Sequence, residues 1–153
     1  VNKQVLALNE VVVKSKTLST FVLDVHINEH HFETFRGDGL LVSTPTGSTA
    51  YNHAVDGSIL HPSIEAMQVA ELAAINNNAF RTLGRSFILP KHHTLDLVVK
   101  NPEKDVLIGV DGVELDLEGI HKIHVTVAEQ KIRFVRYRPF PFWNRVKDKF
   151  MDS

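Results

Sequence analysis

A mainly β fold, a β-sandwich-like domain with a few short helices, is predicted from three features of the sequence. Phe21, Leu23, Val25 and Ile27 alternate with Val22, Asp24, His26 and Asn28, the period of two that marks a half-buried strand. Further β-branched and aliphatic runs, Leu95–Val99, Val106–Val110, 123–127 and 131–137, follow at intervals of about 12 to 16 residues. Turn dipeptides lie between them: Asn101-Pro102, Asp111-Gly112 and Glu118-Gly119.

In chain order, residues 5–13 read as a strand with Asn9-Glu10 in its middle. Alternation sends the two side chains to opposite faces, so at least one needs a polar partner or a site beside it. The plainer reading is an edge strand or bulge with both groups in water. After strand 21–27, Asn28-Glu29-His30-His31 reads as a turn and 32–36 as the return strand of a hairpin. Gly37-Asp38-Gly39 breaks the pattern, by itself no more than a glycine-rich bulge with a solvated Asp38.

Leu40, Leu41 and Val42 then form a short buried strand, which Pro45 stops because it cannot donate to a sheet ladder. The loop that follows carries four hydroxyls, Thr44, Thr46, Ser48 and Thr49, around Gly47, a residue that lets another group approach the backbone. Residues 50–55 have helix character, with Ser48 or Thr49 as the expected cap. The bland alternative is an ordinary polar strand-to-helix loop. As an anion cradle the loop lacks the spacing and the lysine of a P-loop, and neutral polar groups of a nucleotide suit it at least as well as phosphates.

Further on, Asp56-Gly57 turns the chain and His61-Pro62 breaks it again. Residues 63–72 have helix-forming composition, Asn76-Asn77-Asn78 is loop, Phe87–Pro90 is a short strand stopped by proline, and 142–151 closes the chain as an amphipathic helix. Basic residues crowd the end: Lys131, Arg133, Arg136, Arg138, Arg145, Lys147 and Lys149, against Asp148. Strand alternation would put several of them on one face, either a solvated face or a phosphate- or subunit-facing patch.

Composition sets the outer bounds. With 153 residues, 43% apolar and 23% charged, the chain suits one soluble globular domain or two very small ones. A formal net charge of −1 gives no global attraction to nucleic acid or to acidic membranes, and neither is an expected partner. Cysteine is absent, so disulfide and thiolate chemistry are excluded. No apolar run has the length of a membrane span, and a cytoplasmic location is expected. The chain opens on Val1 rather than methionine and enters apolar sequence at once, which reads as a fragment or a cut domain. Nine histidines invite a metal reading. His30-His31 and His92-His93 are adjacent pairs whose side chains diverge, and no HExxH spacing occurs, so no metal site is expected in this chain. A Ser/His/Asp site lacks its GxSxG elbow.

The run Gly37-Asp38-Gly39-Leu40-Leu41-Val42-Ser43-Thr44-Pro45-Thr46-Gly47-Ser48-Thr49-Ala50-Tyr51 resembles the signature of the NAD kinases. The upstream Asn9-Glu10 pair resembles that family's Asn-Glu motif, with the right order and spacing. Similarity continues through His61-Pro62 and Arg81-Thr82-Leu83-Gly84, so almost the whole chain is covered.

The resemblance implies a two-domain kinase, an α/β domain followed by a β-rich domain, assembled as a homodimer or homotetramer. Its reaction moves the γ-phosphoryl of ATP, or of polyphosphate, with Mg²⁺ or another divalent metal, to the adenosine 2′-hydroxyl of NAD, giving NADP. The GGDGT motif that carries the family's catalytic aspartate is absent. Residues 1–153 therefore correspond to the C-terminal NAD-binding domain, with no catalytic residue and no activity expected of it alone. Within that domain the resemblance assigns Asn9 and Glu10 to the adenosine ribose, and Thr46, Thr49, Ala50 and Tyr51 to the adenine pocket. Arg36 and Asp38 go to the nicotinamide side, in some members across a subunit interface, with Ala73 and Ile75 nearby. Ala54 stands where a serine is common, and in Asp111-Gly112-Val113 the valine replaces a frequent glutamine. A lipid kinase of the diacylglycerol or sphingosine type, or a non-catalytic nucleotide-sensing module, are the alternatives.

Overall fold

Two antiparallel sheets face each other, and their inward side chains form one core. The computed structural model describes residues 2–101 and 106–152; Pro102, half of the expected Asn101-Pro102 turn, lies outside them. The elements of the sheets are β1 (Glu10–Ser15), β2 (Phe21–Ile27), β3 (His30–Gly37), β4 (Gly39–Ser43), β5 (Ala66–Leu72), β6 (Phe87–Pro90), β7 (Leu95–Val99), β8 (Val106–Val110), β9 (Val113–Leu115) and β10 (Lys122–Val125). The larger sheet runs β6-β5-β4-β1-β8-β9 and the smaller β10-β7-β2-β3. Two helices complete the set, α1 (Tyr51–Ala54) and α2 (Phe142–Phe150), with a 3-10 turn at Thr46–Thr49 just before α1.

The alternation read in strand 21–27 is the physical cause of the sandwich. Phe21, Leu23 and Val25 are fully buried with Phe35 of β3 and Leu95 and Leu97 of β7, and they meet Val13, Leu40 and Val69 of the larger sheet. At about 25 cal/mol per Å² of apolar surface, this two-sided burial is what stabilises the domain. The hairpin turn is tighter than expected. Asn28 and Glu29 both have positive φ, 50° and 68°, so a two-residue turn suffices and His30 and His31 already belong to β3.

Four expectations are corrected. The first strand starts at Glu10, not at residue 5, so Asn9-Glu10 sits at its head and not in its middle. Residues 63–72 do not form a helix: Ala66–Leu72 is a strand between β4 and β6, buried at six of its seven positions. Ala, Met, Gln and Leu favour helices in isolation, but a slot between two strands outweighs that preference. Residues 131–137 form no strand, and Ile132, Phe134, Val135 and Tyr137 are exposed. Neither Ser48 nor Thr49 caps α1; its N-cap is Ala50, and no side chain bonds there.

Candidate functional site

The polar loop is folded onto the head of β1. Thr44 donates its backbone N–H to the Asn9 carbonyl at 2.9 Å and its hydroxyl to the Leu8 carbonyl at 2.5 Å. That hydroxyl in turn accepts the Gly47 N–H at 2.9 Å. A Cβ at Gly47 would stand 1.9 Å from the Asn9 carbonyl oxygen. The glycine is therefore required by the protein's own backbone, which crosses it there. Ser48, fully buried, donates to the Pro45 carbonyl at 2.7 Å and accepts the Leu60 N–H at 2.9 Å. Asn52 and Gln68, also fully buried, both donate to the Ser58 carbonyl. Of the loop's hydroxyls, those of Thr44 and Ser48 are thus structural, holding the turn against β1 and the 58–60 segment.

Asn9 and Glu10 are fixed from the other side by a residue about a hundred positions away. Asp111, in the β8–β9 turn, accepts the backbone N–H groups of Leu8 and Asn9 at 2.7 Å and of Glu10 at 3.0 Å. Glu10 is 7% exposed, and its Oε2 is buried with no hydrogen-bond donor. Burial pushes its carboxyl above the usual range, the Asp111 charge adds to this, and a bond from the Tyr51 backbone N–H opposes both. The result is a carboxyl group beside Tyr51 whose Oε2 is enclosed by the protein and lacks a donor.

Around this head the expected residues divide. Asp38, Tyr51 and Ala73 line one cleft of about 380 Å³ together with Lys14, Val55, Asp56, Glu71 and Leu72. Tyr51 is 41% exposed there, its ring free to meet a ligand. Thr46 and Thr49 line a separate cavity of about 260 Å³, closed by Arg136, Phe142, Arg145 and Lys149. Here α2 covers the loop: Lys149 donates to the Thr49 carbonyl at 2.6 Å, and Phe150 stacks on His53 with centroids 3.9 Å apart. Ala50 joins the two sides as the half-buried residue between the 3-10 turn and α1. Arg36 and Ile75 are brought together behind the first cleft, where the Arg36 carbonyl accepts the Ile75 N–H at 2.8 Å and its guanidinium lies 4.1 Å over Phe80. Of the basic stretch, Arg136, Arg145 and Lys149 converge on the cavity of Thr46 and Thr49, where Arg136 also bonds the Phe140 carbonyl and Arg145 faces the Phe142 ring, while Lys131 pairs with Glu65.

Asp111 escapes an isolated reading of the sequence, where its signal is no more than an Asp-Gly turn. Glu71, Lys14 and Asp56 carry no local signal at all, because only the meeting of β1, β5 and the end of α1 makes them neighbours. Among the described residues no group of three or more His, Asp or Glu side chains is arranged to hold a metal ion. None of the helices described is long and apolar enough to cross a membrane.

Fold and site together define a two-sheet β domain whose strand heads and signature loop frame a polar, carboxylate-lined cleft. The model of the ATP-NAD kinase C-terminal domain matches residues 8–137. The NAD kinase of Staphylococcus saprophyticus is 52% identical over 148 residues, which is 97% of this chain and 55% of that protein. The NAD kinase of Staphylococcus aureus is 51% identical over the same length. Among solved structures, yeast NADH kinase complexed with NADH superposes with a TM-score of 0.65 at 27% identity, over 77% of this chain and 33% of that one. An NAD kinase from Archaeoglobus fulgidus in complex with ATP shares the fold, with a TM-score of 0.67 at 22% identity over 82% of this chain and 47% of its own. The chain belongs to the NAD kinase family. It spans about half the length of the curated relatives it matches. Nothing in these relatives favours the lipid-kinase or sensing-module alternatives.

Proposed function

We propose that this chain is the NAD-recognising domain of an NAD kinase, which phosphorylates the adenosine 2′-hydroxyl of NAD with ATP to give NADP. The observation that carries the reading is Glu10: a buried carboxyl with one oxygen lacking a donor, fixed beside Asn9 and against the turn that presents Tyr51. A ribose diol supplies the hydroxyl donors that this carboxyl lacks once the Glu10 side chain turns its enclosed Oε2 toward it, and the Asn9 amide both donates and accepts. Selecting one hydroxyl of a dinucleotide requires the acceptor ribose to be held against the phosphoryl donor, and a rigid Asn-Glu head is suited to that. Tyr51 offers a flat exposed face for the adenine, with Thr46, Thr49 and Ala50 forming the turn behind it. Asp38 and Ala73 line the cleft beside Tyr51, and with Arg36 and Ile75 next to them in the chain fold they suit the nicotinamide side.

The phosphoryl donor and its catalytic aspartate belong, in this reading, to a preceding α/β domain. A divalent cation would accompany the donor phosphates. Homodimer or homotetramer assembly and a cytoplasmic location complete the proposal.

The test is isothermal titration of the chain with NAD and NADP, after light scattering has established that it is monodisperse. Saturable binding that weakens at least tenfold in Tyr51→Ala supports the reading. A folded, soluble chain with no affinity for either nucleotide would mean that the pocket is not contained in these residues.

A further inference from the structure

Glu33 of β3 and Glu71 of β5 stand on different sheets and meet at the edge of the sandwich. One oxygen of each is occupied by the 73–84 loop: Glu33 Oε2 accepts the Leu83 N–H at 2.7 Å, and Glu71 Oε2 accepts the Gly84 N–H at 3.0 Å. The other oxygen of each, Oε1 in both cases, is buried with no hydrogen-bond partner, and the successive amides of Leu83 and Gly84 bring the two carboxyl groups together. Two carboxyl groups placed in this way can bond one another only with a proton between them. With both ionised, two like charges would face each other out of water.

We propose that Glu33 and Glu71 share a proton, and that this carboxyl pair is a latch positioning the 73–84 loop against the cleft.

The loop is otherwise braced mainly by itself. Asn77 Oδ1 accepts the N–H groups of Ala79 and Phe80 at 2.9 Å, the Thr82 hydroxyl donates to the Ile75 carbonyl at 3.3 Å, and Asn76 Nδ2 reaches the Thr82 carbonyl at 3.2 Å. Its start is anchored where Ile75 bonds Arg36. Its far end is held by the two carboxyl groups. Ala73, at the head of the loop, has a φ of 48°, a conformation that alanine adopts only when its surroundings impose it. Burial, and then the bond to and charge of Glu33, push the Glu71 carboxyl up to about 8, against the pull of the Gly84 N–H. Charged and titratable groups sharing its cleft are Lys14 of β1, Asp38 between β3 and β4, Tyr51 of α1, and Asp56 just beyond it. The strand partners facing the pair, Leu40 opposite Glu71 and Val25 opposite Glu33, are apolar. Lys14 is therefore the one cation among the described residues lining that cleft, set against Asp38 and Asp56, and the proton rather than a salt bridge relieves the pair. Glu71 is a positioning residue. Its functional role, presenting Ala73 and Ile75 to the nucleotide, rests on the function proposed above.

Carbon-detected NMR titration of the Glu71 side chain, with amide exchange followed at Leu83 and Gly84, tests the latch without any nucleotide. The expected result is a Glu71 transition near 8, with protection at both amides falling about tenfold or more across the same range. Glu71→Gln, whose amide donates to Glu33 while its oxygen still accepts from Gly84, should keep the protection and lose its pH dependence. Titration of wild-type Glu71 in the ordinary carboxylate range, or unchanged protection up to pH 9.5, would overturn the proposal even if the variant fails to fold. In parallel, NAD affinity should fall through the same transition in wild type and stay level in Glu71→Gln. Absence of NAD binding at every pH counts against the function proposed above, while the latch is still decided by the titration.

Discussion

Asp111 Oδ1 accepts the backbone N–H of Asn9 at 2.7 Å, although 102 residues separate them in the chain. Its other oxygen takes Leu8, and Oδ1 also reaches Glu10, so one side chain sets the position of three consecutive peptide groups. Hydrogen bonds to a carboxylate are worth more than neutral ones; water can replace the acceptor at the exposed Leu8 and Asn9 amides, but the part-buried Glu10 amide would lose its partner. Asp111→Ala should therefore lower stability by about 1–3 kcal/mol in urea unfolding. It should also weaken NAD binding, since Asn9 and Glu10 lose their register. Unchanged stability with intact binding would show that β1 holds its head without help.

Gly47 gives a sharper steric prediction. Alanine there would place a methyl 1.9 Å from the Asn9 carbonyl oxygen, a backbone atom with nowhere to go. Gly47→Ala should cost roughly 1–3 kcal/mol or more, as overpacking does. Gly112 has nothing within 4 Å of its added Cβ, and its φ of +81° leaves only backbone strain, so Gly112→Ala should cost about 1–2 kcal/mol. Thermal melts of the two variants side by side check the order.

Glu10→Gln preserves shape and removes the charge. In the kinase that contains this domain, it should lower phosphoryl transfer by about two orders of magnitude or more, the scale of a misplaced reacting group. Asn9→Ala should act in the same direction. Circular dichroism of both variants should match wild type. Wild-type turnover in either would sink the assignment of the pair to the acceptor ribose.

The outer face of the smaller sheet predicts the acid limb of stability. At Asp96 burial opposes ionisation, but the bond from His124 at 2.7 Å, the charge of His124, and Lys122 at 3.4 Å outweigh it and hold the carboxyl below its usual value. Asp24 is likewise lowered, burial being overcome by the Thr34 hydroxyl, Lys100 and His31. A folded value below the unfolded one means stability that is present above the unfolded value, 3.8 for Asp, and lost as pH falls through the folded one. Thermal midpoints measured from pH 6 down to pH 2 should drop below about 4, and Asp96→Asn should flatten that drop. An acid limb unchanged in this variant would mean that other carboxylates set it.

Much of the sandwich was legible because its strands carry their own signal. The 21–27 alternation, and the runs at Leu95–Val99 and Val106–Val110, stand in the structure with the same bounds. Residues 66–72 were not legible: Ala, Met, Gln and Leu prefer a helix, and only the edges offered by β4 and β6 make them a strand. Residues 131–137 fail in the opposite direction, since alternation names a strand but no neighbouring edge in the described chain receives it. The candidate site divides along the same line. Asn9-Glu10 and the 37–51 run are each contiguous in sequence and could be named from it; Asp111 could be named only as part of the Asp111-Gly112-Val113 turn, without its role, and Glu33 and Glu71 not at all.

The sequence by itself determined the family and the loop chemistry, because a signature of adjacent residues survives any uncertainty about the fold. It also determined the two-sheet class, because period-two burial is local. Tertiary structure alone decided what holds the site in place. Asp111 acquires its role because β8 pairs with β1, and Glu33 and Glu71 acquire theirs because two sheets meet at one edge. Those contacts join residues whose separation in the chain carries no period; strand pairing within the larger sheet brings the first set together, and the packing of the two sheets the second.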